Sequence, residues 1–249
     1  MLAGAMGLPM VTVMATATST EAGLAFSGPS PLLAALRLGS AALPIGAFAY
    51  SQALEQAVAV GAVGDRPSAA RWITGLLEHT VLTLDLPVLV RIHAGLETGA
   101  LAEAERWSDF LYATRGTSEL RAEETQLGKS LFRWLERLGD GRAPALPAKS
   151  RTTLAAAFAW SARRFELSAE AAALAYAFAW CEAQVGAASR LIPLGQSDAQ
   201  LVLSDALAAL SAGFSRSLAL RDDELGATAP GQALLSAAHE TQYSRLFRS

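Results

Sequence analysis

The sequence predicts an all-α protein, a single-domain bundle of about ten helices. Three observations carry that expectation. Apolar residues recur at spacings of three and four along most of the chain, which is the period of one helix face. Alternation of apolar and polar residues, the mark of a half-buried strand, nowhere persists. Hydrophobic residues make up 52% of the 249 positions and charged residues only 17%, and much of the apolar share is alanine. Alanine is small and has the strongest helix preference, so closely packed helices are expected, with apolar surface left over for a partner.

The elements follow in order. Residues 1–28 read as a flexible N-terminal tail: they lack the basic start of a secretory signal, and Leu8-Pro9 interrupts the apolar run. The domain then spans 29–249. Ser30-Pro31 opens a short helix, with Ser30 as cap and Pro31 in the first turn. Leu43-Pro44-Ile45-Gly46 is a bend, because Pro44 has no N–H and Gly46 tolerates positive φ. A helix is expected after it, with Tyr50, Leu54, Ala57 and Val58 on one face. Asp65-Arg66-Pro67-Ser68 starts the next, whose stripe is Trp72, Leu76, Thr80 and Leu84. Asp85-Leu86-Pro87 is expected to restart the chain, and Leu89, Ile92 and Leu96 continue the pattern.

Leu101, Ala104, Trp107 and Leu111 mark a further helix. Thr117 caps the next, whose seam of Leu120, Glu124, Leu127, Leu131, Trp134 and Leu138 holds one polar intruder. Residues 139–147 are the best linker in the chain, though the same helical texture on both sides argues against a domain boundary. Helices follow around Leu154 and Phe158, and after Ser168, where Leu174, Phe178, Cys181 and Val185 are the expected buried face. After the break Leu191-Ile192-Pro193-Leu194-Gly195, a long helix shows Leu203, Leu207, Leu210, Phe214 and Leu218. A last short helix leads into a polar tail, 241–249, expected to be mobile.

Composition excludes several functions. A formal net charge of -3 argues against a nucleic-acid binder, which needs a basic stripe to displace phosphate counterions. Cys181 is the only cysteine, so a Cys-rich metal site and an internal disulfide are excluded. His79, His93 and His239 lack short metal-ligand spacing. No GxxxxGK[ST] or strand-borne GxGxxG is present, so no cofactor or nucleotide is expected. The most apolar stretch, 169–185, is interrupted by Glu170 and Glu182 and reads as a buried helix, not a membrane span. Residue chemistry alone reaches a soluble all-α binding protein without catalytic residues. A helical enzyme with a buried acid–base pair and a membrane-surface protein stay open beside it.

Five segments carry more. Leu43-Pro44-Ile45-Gly46-Ala47-Phe48-Ala49-Tyr50-Ser51-Gln52-Ala53-Leu54-Glu55 resembles the LPIGAFSYSQGLE segment of the UreF family, with alanine at 49 and 53 where serine and glycine are usual. Asp85-Leu86-Pro87 is similar to that family's DLP, and Ser118 to Glu123 to its SRELRAE with the first arginine missing. Arg190 to Gln200 is similar to [KR]LIPLGQTDGQ, and His239 to Ser249 resembles the family's last segment. Each motif alone is weak, but five in the right order are specific, and the likeness runs from about Leu32 onward. The region from Thr153 to Arg164 does not match.

The resemblance implies a cytoplasmic, homodimeric urease accessory protein that is not an enzyme. Such a scaffold binds UreD (UreH in some bacteria), recruits and regulates the GTPase UreG, and docks on apo-urease for nickel insertion. With no clustered cysteines or histidines, the isolated chain is not expected to hold nickel tightly. The residues expected at partner contacts are Tyr50, Glu119, Arg190, Gln196, Tyr243, Arg245 and Arg248. Six of them have a plainer reading: Tyr50 as core, Glu119 as a solvated helix face, Arg190 as a cation at the negative end of a helix dipole, Gln196 as fixing the turn at Pro193 and Gly195, Arg245 and Arg248 as parts of a disordered end.

Overall fold

The computed structural model describes residues 30–138 and 152–249. The expected N-terminal tail 1–28 and linker 139–147 lie outside them. Among the described residues every regular element is helical. The chain starts with α1 (Pro31–Leu38) and the short α2 (Leu54–Ala59). Next come α3 (Arg66–Leu76), a π-helical stretch (Leu77–Asp85) and α4 (Leu86–Thr98), then α5 (Leu101–Thr114) and α6 (Ser118–Arg137). The remainder is α7 (Leu154–Arg164), α8 (Ala169–Leu191), α9 (Gln196–Leu218) and α10 (Pro230–His239), with 3-10 turns at Ala47–Ala49 and Asp222–Glu224.

Local chemistry sets several of the starts. The side chains of Asp65, Thr117, Thr153 and Ser168 each accept the N–H of the residue three positions on, which satisfies an otherwise orphaned donor. Pro31 lies in the first turn of α1, although the Ser30 side chain makes no capping bond. Gly46 bends the chain at φ 82°.

Three local expectations are corrected. Tyr50 is not on a helix: its backbone is extended (φ -125°, ψ 137°), and α2 begins only at Leu54. Between them Gln52 and Ala53 both take positive φ, 52° and 71°. Ala53 therefore stands in a left-handed conformation that costs an alanine about 1–2 kcal/mol, at the position where the UreF pattern has glycine. Nor does Asp85-Leu86-Pro87 interrupt the chain, because α3, the π-helical stretch and α4 form one 33-residue rod, Arg66–Thr98. Pro87 has no N–H for the Thr83 carbonyl four residues back. The Gly226 N–H takes that acceptor from a neighbouring segment (3.2 Å), and Thr228 N–H takes the His79 carbonyl (2.9 Å). On α8, Leu174 is exposed, and Tyr176 and Trp180 hold core places instead.

The core forms where α4 lies against α5, α7 and α8, while α9 packs along α3, the π-helical stretch and α8. Helix α8 meets it with Ala172, Ala173, Ala177, Ala187 and Ala188, all fully buried, so its neighbours approach closely. The Phe158 and Tyr176 rings meet edge to face, 5.2 Å between centroids. Among the described residues two helices, Arg66–Thr98 and Gln196–Leu218, are long and apolar enough to cross a membrane by length and composition. The first is 67% buried inside the protein, as a core helix is, whereas α9 is only 28% buried and leaves an apolar side uncovered.

Candidate partner-binding face

The segment 241–249, expected to be mobile, is seated on the body of the protein. Glu55 on α2 explains why. Its carboxylate accepts the backbone N–H groups of Leu246 (2.7 Å) and Phe247 (2.8 Å) and faces His239 Nε2 at 3.3 Å. Arg248 N–H donates to the Ala49 carbonyl at 2.8 Å, and Ser51 N–H to the Ser249 main-chain oxygen at 2.9 Å. Phe247 is buried under Arg190, whose guanidinium carbon lies 4.5 Å from the ring centroid. Composition pointed to a free end because few apolar anchors were visible. One buried aromatic and a carboxylate that takes two main-chain donors hold it instead.

Around this segment five of the residues singled out by sequence meet. Tyr50 is buried and donates to Gln126 Oε1 at 2.6 Å, an oxygen that Arg248 Nη1 also reaches at 3.5 Å. Glu119 on α6 holds Arg245 Nη1 with one oxygen (2.6 Å) and His239 Nδ1 with the other (2.7 Å). Arg190, in the last turn of α8, donates to the Gly186 carbonyl of its own helix (3.2 Å) and to the Phe48 carbonyl (2.6 Å). It thus closes a helix end and clamps the segment at once. Tyr243 is fully exposed at the start of the segment. Gln196 is exposed at the first position of α9 and makes none of these contacts. Phe48 (69%) and Leu246 (63%) expose large apolar surface beside the seated residues.

Beneath the face runs a buried polar chain that sequence reasoning missed. Trp180 Nε1 donates to Gln52 Oε1 (2.9 Å), Gln52 Nε2 to Glu123 Oε1 (2.7 Å), and Ser249 Oγ to Glu123 Oε2 (2.6 Å). Burial pushes the Glu123 carboxyl up to about 7. Next to it, Arg115 donates to Asp85 (2.9 Å) and to Glu124 (2.8 Å), all three side chains largely shielded from water. Burial opposes the Arg115 charge, but the Asp85 and Glu124 carboxylates outweigh it and hold the guanidinium well above its usual range. Burial also raises the Asp85 carboxyl and the Tyr176 hydroxyl, and Tyr176 donates to Asp85 at 3.4 Å. The other Glu124 oxygen takes the Leu154 N–H (2.8 Å) at the start of α7. The visible signal was the polar intruder Glu124 in an apolar seam. Its partner Arg115 lies 9 positions away in sequence, and Asp85, the other carboxylate on that arginine, 39 away, so no local spacing revealed them.

These contacts bind and orient; they do not form a nucleophile with a base and an open approach. Cys181 is buried, and burial pushes its thiol up to about 12, far from a reactive thiolate. Among the described residues no group of three or more His, Cys, Asp or Glu side chains is placed to hold a metal ion.

Comparison with known proteins gives a consistent result. The sequence model of the family described as UreF matches residues 63–207. The chain is 45% identical over 222 residues to the urease accessory protein UreF of Chromohalobacter salexigens, covering 89% of this chain and 96% of the relative. It is 43% identical over 218 residues to that of Teredinibacter turnerae, covering 88% of this chain and 98% of the relative. The same identity holds for the UreF of Pseudomonas putida strain KT2440, at 88% and 97% coverage.

Proposed function

Because the chain belongs to the UreF family of urease accessory proteins, which takes part in urease maturation without catalysing a reaction, we propose that it is the scaffold for nickel insertion into apo-urease. It works in the cytoplasm, binds UreD (or UreH), recruits UreG and regulates its GTP hydrolysis. The observation that carries this reading is the meeting of Tyr50, Glu119, Arg190, Arg245 and Arg248 around one seated segment, with Phe48 and Leu246 exposed beside it. An exposed aromatic beside arginines that can fork onto carboxylates suits a protein partner.

Arg245 gives the test. Its pair with Glu119 is 40% exposed on the arginine side, and exposed pairs contribute only about 0–1 kcal/mol to stability. Arg245→Ala should therefore leave the helical spectrum and melting curve close to unchanged. In a pull-down with the UreD-like and UreG-like proteins of the same organism, it should weaken UreG capture at least about tenfold, the loss of one desolvated charged contact. Urease activation should fall in step. Full capture and activation by Arg245→Ala would assign this arginine to the seating of the segment alone. Removing 242–249 altogether is a poorer test, since it strips Glu55 and Glu123 of partners and should destabilise the fold.

We also propose that the scaffold is a homodimer joined through α9. Apolar and small residues are in surplus on both α8 and α9. Helix α8 is consumed by the core, and α9 keeps Leu201, Ala208 and Ala212 exposed. A permanent interface would bury about 2,000 Å² or more. Sedimentation should give a dimer at micromolar concentration and a monomer for Ala208→Arg; a monomeric wild-type chain would refute the proposal.

A further inference from the structure

The segment 242–249 is held at both ends by carboxyl groups. At one end Glu55 and Glu119 flank both ring nitrogens of the fully buried His239. At the other, Glu123 meets the Ser249 hydroxyl at 2.6 Å. Glu123 and Ser249 are both buried, 6% and 0% exposed, so the seated residues keep water from that carboxyl. We infer that Glu123 is a proton-sensitive pin: the segment stays seated while this carboxyl carries its proton and lifts when the group is ionised.

The geometry explains the direction. A serine hydroxyl can donate to a carboxylate or accept from a carboxylic acid, so the Ser249 contact survives in either state. What changes is the cost of a buried charge, which hydration removes once the segment lifts. The charged and titratable neighbours are Glu124 on the same helix, Arg115 before it, Tyr50 ahead of α2, Tyr176 on α8 and Arg248 on the segment itself. The hydrogen bonds from Ser249 and Gln52 and, less strongly, Arg115 favour ionisation and Glu124 opposes it, but Arg115 is already shared between Asp85 and Glu124. Burial is the largest influence and raises the group from 4.5 to about 7. A carboxyl raised by folding favours the closed state below its unfolded value, and that preference is lost as pH rises through about 7.

Hydrogen-exchange mass spectrometry on the full chain reads the segment directly. Protection of peptides covering 242–249, corrected for intrinsic exchange at each pH, should fall at least about tenfold between about pH 6 and about pH 8.5. Glu123→Gln, which keeps the shape and cannot ionise, should hold protection high and flatten most of the profile. A flat wild-type profile, or an equal fall in Glu123→Gln, would overturn the inference. If Glu123→Gln fails to fold, infrared titration of the wild-type carboxylic acid band decides. A buried acid that loses its proton at the same midpoint as the loss of protection supports the pin, and one that does not overturns it.

Discussion

Replacing Arg115 with alanine is expected to lower the melting temperature by about 10 °C or more. Removing one partner of a buried ion pair costs about 3–5 kcal/mol, and 1 kcal/mol shifts melting by about 2–4 °C in a chain of this size. The cost arises because Asp85 and Glu124 stay behind, 3% and 5% exposed, two like charges with no cation between them. The effect reaches beyond the pair. Glu124 also holds the start of α7 through Leu154, and Asp85 sits at the junction of the π-helical stretch with α4. A combined Arg115→Met, Asp85→Asn, Glu124→Gln chain should recover much of the loss, since removing all the charges leaves none unpaired. A melting curve of Arg115→Ala within about 2 °C of wild type would show that water already reaches this cluster.

Gly128→Ala should be strongly destabilising. Helix α6 crosses the start of α7 at this point. A Cβ on residue 128 would lie 2.7 Å from main-chain atoms of Thr153 and closer still to the Thr152 carbonyl oxygen. No rotamer change relieves a clash with backbone. Forcing α6 and α7 apart would disturb Ser108 against Thr153 (2.9 Å) and the Glu124 bond to Leu154 as well. Overpacking costs about 1–3 kcal/mol, and a backbone clash belongs at the upper end, about 3 kcal/mol and about 6–12 °C of melting. In a solvent-facing helix the same change would stabilise by up to about 1 kcal/mol. The sign of the measured shift therefore decides: equal or higher stability would mean that the two helices do not approach as closely as described.

The sequence by itself determined the helical class, most helix starts and the family likeness, because these depend on nearest neighbours. A capping side chain reaches a donor three residues away, and an apolar stripe repeats within one turn. Thr117, Ser168 and Asp65 were legible for that reason. So were the motifs around Tyr50, Arg190 and Arg245, as short strings. Tertiary structure decided what those strings do together. Whether Pro87 ends a helix depended on a donor from Gly226, and whether the end of the chain is free depended on a carboxylate at Glu55. The charge on Glu124 became tolerable through Arg115, which it shares with Asp85, and Glu123 was made proton-sensitive by its place beneath Ser249. Long-range contacts of this kind leave no period in the sequence. A buried carboxyl and a solvated one are written with the same letter, and only the arrangement of distant segments sets the dielectric and the partners that distinguish them.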